Sequence, residues 1–301
     1  MKKIIIILLL FISCSAAFSQ YSMFYSQYMF NYLAINPAYA GSREVLSISM
    51  TSRNQWAGFS GAPKTQNISA HMPVNKKRIG IGIALLNDNI GVSKHTAINS
   101  YYSYRIPIKK GKLAFGTSIG ISFINSYWDK INTTAPNDIV FQNNHSETLA
   151  NFGFGVFYKH SKYYIGFSSP FIVNYNQETI VDNSLEFKHN NFMLSSGILF
   201  KLNDELSLKP SFLFKSYPEY AAQLDLNCSL IYKNLLWFGL SVRSEDALVW
   251  LIEYQLTSQL RFGFSHDFPT SEIANYSRGT NEILLRYEFG LNTNATNVKF
   301  F

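Results

Sequence analysis

The stretch Leu113-Ala-Phe-Gly-Thr-Ser-Ile-Gly-Ile-Ser-Phe123 decides how the rest of the chain is read. Leu113, Phe115, Ile119, Ile121 and Phe123 share one parity, and Ala114, Gly116, Ser118, Gly120 and Ser122 share the other. Successive side chains of a strand point to opposite faces, so this segment has one apolar face and one small or polar face. The same division runs through Leu46/Ile48/Met50 against Ser47/Ser49/Thr51, and through Leu224/Leu226/Cys228/Leu230 against Asp225/Asn227/Ser229. It returns in Ile283/Leu285/Tyr287/Phe289 against Glu282/Leu284/Arg286/Glu288. Alternation of this kind suits a soluble sandwich as well as a membrane barrel. Three other features separate the two.

At the N-terminus, Lys2 and Lys3 precede an apolar run, Ile4 to Ile12, and then small residues as far as Ala17. This is the layout of a secretory signal peptide, here residues 1–19 with cleavage after Ser19. The run is too short to span a bilayer, which takes about 20 apolar residues, and no later stretch approaches that length. Cys14 would suit a lipoprotein, but the bulky Phe11 three positions before it argues against that reading.

Spacing is the second feature. Strand candidates are centred near residues 48, 68, 82, 100, 118, 154, 165, 196, 209, 226, 239, 251, 262 and 286. That is about fourteen, an even number as single-chain bacterial barrels have. Tight connections at 75–78, 109–112, 160–162, 203–205 and 233–234 take every second place, and longer ones at 128–147, 169–189 and 266–280 lie among the others. Short periplasmic turns opposite long surface loops follow the outer-membrane barrel rule, which puts both termini in the periplasm.

Composition is the third. Aromatic residues make up 16% of the 301 residues and charged residues only 15%, whereas soluble domains average about a quarter charged. An apolar band between aromatic girdles gives such a balance. The predicted architecture is all-β: a single transmembrane antiparallel barrel of the outer membrane over residues 45–291, an N-terminal periplasmic or plug segment at 20–44, and a periplasmic tail at 292–301. The net charge of +7 becomes +5 once Lys2 and Lys3 leave with the signal. The basic residues sit partly in tight turns, Lys76-Lys77-Arg78 and Lys109-Lys110 with Lys112, where a positive rim could meet an acidic protein or lipid headgroups rather than nucleic acid. With Cys14 removed only Cys228 remains, so no internal disulfide can form.

The segment 20–43 does not read as wall. It carries Gln27-Tyr28-Met29 and Asn36-Pro37-Ala38-Tyr39-Ala40-Gly41, a short aromatic piece broken by Asn-Pro and closed by Gly. Arg53, Gln55-Trp56-Ala57-Gly58-Phe59 and Gly61-Ala62-Pro63 follow, and then Asn87-Asp88 with Ile90-Gly91. In these elements, their order and their spacing, the chain resembles the PorP/SprF family, outer-membrane proteins of the type IX secretion and gliding machinery. The resemblance covers essentially the whole mature chain, including the aromatic ending Lys299-Phe300-Phe301. It implies a non-enzymatic barrel that supports export or surface anchoring of secreted proteins and adhesins. The implied partners are machinery lipoproteins or a peptidoglycan-binding periplasmic protein, and the C-terminal signal domain of a cargo. The residues carried over as partner-contact candidates are Asn36, Pro37, Tyr39, Gly41, Arg53, Trp56, Gly58, Phe59, Gly61, Pro63, Asn87 and Asp88. Gly41, Gly58 and Gly61 also fit a purely conformational role at positive φ, and Pro37 and Pro63 one in setting turns.

The residues themselves offer little chemistry. His71, His95, His145, His160, His189 and His266 are scattered, with no cysteine cluster to join them. Gly80-x-Gly82 lies inside a strand with no helix after it, so it reads as small lumen-facing residues rather than a nucleotide loop. His266-Asp267 is the one adjacent hint of a hydrolase and reads as a solvated turn. No cofactor or metal is implied. The inward parity carries Arg53, Arg105, Asp225, Arg243, Glu253, Arg261, Glu282, Arg286 and Glu288. Such charges can line a wet channel or close it around a plug, with Trp56 and Phe59 packing nearby. Two functions therefore stand side by side: an assembly and anchoring component that binds protein through its long loops, and a channel or hydrophobic-solute transporter.

Overall fold

A computed structural model describes residues 25–74, 78–131, 143–170, 191–217 and 220–290. The expected signal peptide at 1–19, residues 20–24, residues 75–77, most of the loops read as 128–147 and 169–189, and the expected tail at 292–301 lie outside the described residues. So does the Lys299-Phe300-Phe301 ending.

Fifteen stretches of strand form one antiparallel sheet. They are β1 (Leu46–Asn54), β2 (Lys64–Val74), β3 (Ile79–Ile90), β4 (Ser93–Ile108), β5 (Gly111–Ser126), β6 (His145–His160), β7 (Tyr163–Ser169), β8 (Phe192–Ile198), β9 (Phe200–Lys201), β10 (Leu206–Tyr217), β11 (Tyr220–Tyr232), β12 (Leu236–Arg243), β13 (Ala247–Gln255), β14 (Leu260–Pro269) and β15 (Thr280–Phe289). β9 continues β8 past Leu199, whose N–H turns aside to the Lys162 carbonyl at 2.7 Å. The wall therefore has 14 staves, each paired with its neighbours in sequence. The first and last strands pair from Leu46↔Phe289 to Asn54↔Asn281, and this seam closes the ring. Closure satisfies the backbone hydrogen bonds that an open edge would leave bare in hydrocarbon. All fourteen centres read from the sequence fall within these staves.

The two faces separate as the alternation requires. On β5, Phe115, Ile119 and Ile121 are exposed while Ala114, Gly116, Ser118 and Gly120 are buried. Tyr104, Tyr163, Tyr232 and Tyr254 are exposed near the short-turn end of the wall, where amphipathic rings meet a membrane interface. Among the described residues no helix is long and apolar enough to cross a membrane; the wall crosses with strands.

The connections differ from a simple alternation. At the long-loop end β3 and β4 are joined by Gly91–Val92 alone, and residues 244–246 join β12 to β13. Gly91 and Glu245 both adopt φ near +56°, and left-handed residues of this kind let hairpin turns follow the twist of the strands. The loop read as 266–280 is shorter too, because β14 continues to Pro269. His266-Asp267 is therefore not a solvated turn. Asp267 points inward and is only 3% exposed.

Ile119 lies midway along β5 with 60% of its surface exposed. Replacing it with Lys should destabilise the folded barrel by about 2–4 kcal/mol, the cost of a charge at the bilayer midplane. Denaturant unfolding in lipid vesicles measures this, and Ser118→Lys does not share the lipid cost.

Candidate functional site

Residues 25–43 lie inside the ring of strands, and nearly all of them are buried. The segment runs the length of the lumen. It begins beside Arg53, Asp267 and Glu282 at the end where β1 finishes, and leaves beside Glu288 at the end where β1 starts. Two short 3₁₀ turns, Tyr32–Ala34 and Pro37–Tyr39, give it its shape. Asn36 caps the second by accepting from the Ala38 N–H at 2.9 Å, with Pro37 at the first position, where a missing N–H costs nothing.

Polar wall residues hold the segment along its whole path. The Glu282 carboxylate accepts the backbone N–H groups of Ser26 at 2.8 Å and Gln27 at 2.9 Å. Ser26 Oγ donates to Asp267 at 2.6 Å and accepts from Arg53 at 2.8 Å and Arg243 at 3.1 Å. Further down, Asn227 donates to the Tyr28 hydroxyl, Arg286 to the Phe30 carbonyl and Ser168 to the Ile35 carbonyl. Asn36 donates to the wall carbonyls of Val156 and Phe167. Ser103 donates to Ala40 O, the Gly41 N–H donates to His71 Nδ1, and Arg105 closes on Gly41 O.

Ion pairs tie the wall's own charges together. Arg53 pairs with Asp267 at 2.9 Å and Glu282 at 3.2 Å, and Asp225 holds both Lys215 and Arg243. Nearer the short-turn end Glu253 bridges Arg261 at 2.8 Å and Arg286 at 2.7 Å, and Arg43 pairs with Glu288. These side chains are almost fully buried apart from Glu288. Removing one partner from such a pair leaves a buried, uncompensated charge, so the network holds only as a set.

Small wall residues make room. A Cβ at Gly116 would stand 2.3 Å from Ala38 N, one at Gly155 2.1 Å from Asn36 Oδ1, one at Gly80 2.0 Å from Ala40 O and one at Gly263 2.3 Å from Gln27 Oε1. Between these seats the apolar side chains pack. The ring centroid of Tyr32 lies 5.3 Å from that of Phe157 and 5.4 Å from that of Tyr39, and Phe30 meets Trp237 edge-on.

The candidate residues fall into two groups. Asn36, Pro37, Tyr39 and Gly41 lie in the lumenal segment; Gly41 holds φ +69°, and a Cβ there would stand 2.9 Å from Gly80 Cα, so a side chain is strained at this position. Arg53 belongs to the lumenal charge cluster. Trp56, Gly58, Phe59, Gly61 and Pro63 occupy the β1–β2 loop at the long-loop end. There Ala57 N–H donates to Gly279 O at 2.7 Å, Arg278 N–H to Ala57 O and Gly91 N–H to Gly61 O, which stitches three loops together. Trp56 holds φ +48°, rare for a bulky residue, and donates its N–H to Thr280 Oγ1. Phe59 is 47% exposed, facing out of this platform rather than into the lumen. Asn87 and Asp88 end β3 at the same level, where Thr65 donates to Asp88 at 2.6 Å. Ser26, Arg43 and Lys215 belong to the site without having been singled out in the sequence, and Asp267 belongs to it as a lumenal ion-pair partner rather than as part of a solvated turn.

The family described as type IX secretion system membrane protein PorP/SprF matches residues 17–287. The chain belongs to the PorP/SprF family. No curated protein gives a significant match. Solved structures similar to it include the outer-membrane protein Omp33 of Acinetobacter baumannii, with a TM-score of 0.49, 6% identity, and coverage of 82% of this chain and 99% of that one. The KdgM porin is similar at a TM-score of 0.41, 8% identity, and coverage of 81% and 99%. The family match takes in the lumenal segment and the wall alike, so in this PorP/SprF protein the filled lumen belongs to the family region itself.

Deleting residues 25–40 should open the lumen. Single-channel conductance in planar bilayers is expected to be near zero for the full chain and clearly raised for the deletion; equal conductances would contradict a sealed lumen.

Proposed function

We propose that this PorP/SprF protein works as a non-enzymatic, outer-membrane part of the type IX secretion machinery, supporting export or surface anchoring of secreted proteins through contacts at its two rims. The observation that carries this reading is the packed lumen: residues 25–43, their wall partners and the ion pairs fill the space that a solute channel would need. The short-turn end is then periplasmic and the long-loop end faces outward. The outer platform formed by loops 55–63 and 270–279 with Gly91 presents Phe59 and Tyr276, the latter 72% exposed. Exposed aromatics on a rigid support are what a protein partner can bury. The strained backbone at Trp56 supports the same view, since such conformations collect at binding sites. The predicted partners are machinery lipoproteins or a peptidoglycan-binding protein on the periplasmic side and a cargo signal domain outside. Among the described residues no group of three His, Cys, Asp or Glu is placed to hold a metal ion.

Affinity purification of the tagged protein from mildly solubilised outer membranes, followed by mass spectrometry, tests this. A large surface protein and periplasmic machinery components should copurify. A Trp56→Ala/Phe59→Ala variant should lose the surface protein by about thirtyfold or more while keeping its folded, heat-modifiable gel mobility, because one buried aromatic anchor contributes about 2 kcal/mol or more. A barrel that purifies with neither partner would contradict the proposal.

A further inference from the structure

A second feature lies at the opposite mouth. A cavity of about 370 Å³ opens at the short-turn end, between the exit of the lumenal segment and the β4–β5 turn. This is within the range of pockets that hold small ligands or single peptide segments. Its walls carry Arg105, Lys109, Lys110, Lys112 and Lys159, while Glu44 is the one carboxylate among its lining residues. Glu44 is engaged by Lys112, and Arg105 is engaged by backbone carbonyls. Among the described residues neither Lys109 nor Lys110 makes an ion pair. Lys109 holds φ +52°, which fixes the turn that carries both side chains. Its exposed apolar surface is that of Pro107, with Phe157 and Ala114 almost fully buried behind it.

We infer that this vestibule is a docking site for an acidic peptide segment of a periplasmic protein, with carboxylates against the Lys109–Lys110 turn and an apolar side chain on Pro107. The inference rests on the orientation given above, with the short turns in the periplasm. Two observations choose this occupant. The cavity lies inside the ring of strands, because Ala114, Phe157 and Arg105 all point to the lumen; a bilayer phospholipid would have to leave the membrane to reach it. A mixed floor and wall also suits carboxylate and apolar groups together, which inorganic anions do not offer. Clustered lysines favour such a partner by charge-assisted hydrogen bonds and by faster encounter.

The test uses the full-length barrel in detergent and a fluorescein-labelled peptide of alternating glutamate and leucine, read by anisotropy. The peptide should bind and its glutamine analogue should not. Lys109→Gln/Lys110→Gln should weaken binding by about tenfold or more. Lys233→Gln, which alters an exposed turn lysine of another hairpin, should leave it unchanged. Equal binding by all variants, or by the glutamine analogue, overturns the site. More effective competition by soluble muropeptides than by unlabelled peptide overturns the choice of a protein segment in favour of cell wall. In cells, Lys110→Cys in a Cys228→Ser background should resist a membrane-impermeant maleimide until the outer membrane is permeabilised. Labelling of intact cells overturns the periplasmic assignment, while failure of peptide binding with the thiol still protected removes the pocket and leaves the orientation standing.

Discussion

The Glu282 carboxylate is the point on which the rest of the structure depends. It is wholly buried, and it faces Arg53 across the seam where the first and last strands meet. A charge in that position needs both a counterion and filled hydrogen-bonding capacity. Arg53 supplies the first, and the Ser26 and Gln27 N–H groups supply much of the second. One side chain therefore joins the lumenal segment and β1, at the start of the described chain, to β15 near its end. Barrel closure and seating of the segment become coupled, because a bare seam carries unmatched charge and an unseated segment carries unmatched backbone groups.

From that anchor the fit is one of shape. Glycines on the inward parity of β3, β5, β6 and β14 stand where a Cβ would strike the segment. Turns at Tyr32–Ala34 and Pro37–Tyr39 put Asn36, Ala38 and Ala40 against those seats. The glycine alternation seen in Gly80 and Gly82 is the wall's half of this complementarity. With the lumen filled, the exposed binding chemistry moves to the rims: aromatics on a stitched loop platform at one end, lysines around an open cavity at the other.

Much of this was legible in the sequence. Period-two alternation gave the strands, their number and their inward charges, because lipid on one side and a packed lumen on the other force every residue to take a face. The Asn-Pro break and the aromatics of 20–43 marked a segment unlike wall. The contacts of Ser26 and Gln27 with β15 were not legible, since they join residues some 250 apart with no local pattern to announce them. Asp267 was missed for a narrower reason: β14 runs on past His266, and its parity carries Asp267 inward. The place of Phe59 depends on loop-to-loop hydrogen bonds that leave no trace in spacing.

The most direct measurement of the central claim, that residues 25–43 are seated along the wall in the native membrane, is a disulfide trap. Asn31 and Ser69 meet through a 3.2 Å hydrogen bond in the lumen. Cysteines at both positions, in a Cys228→Ser background, should crosslink nearly completely on mild oxidation of isolated outer membranes and should shift gel mobility accordingly. Two thiols that stay free and react independently with maleimide would place the segment outside the lumen and contradict the account.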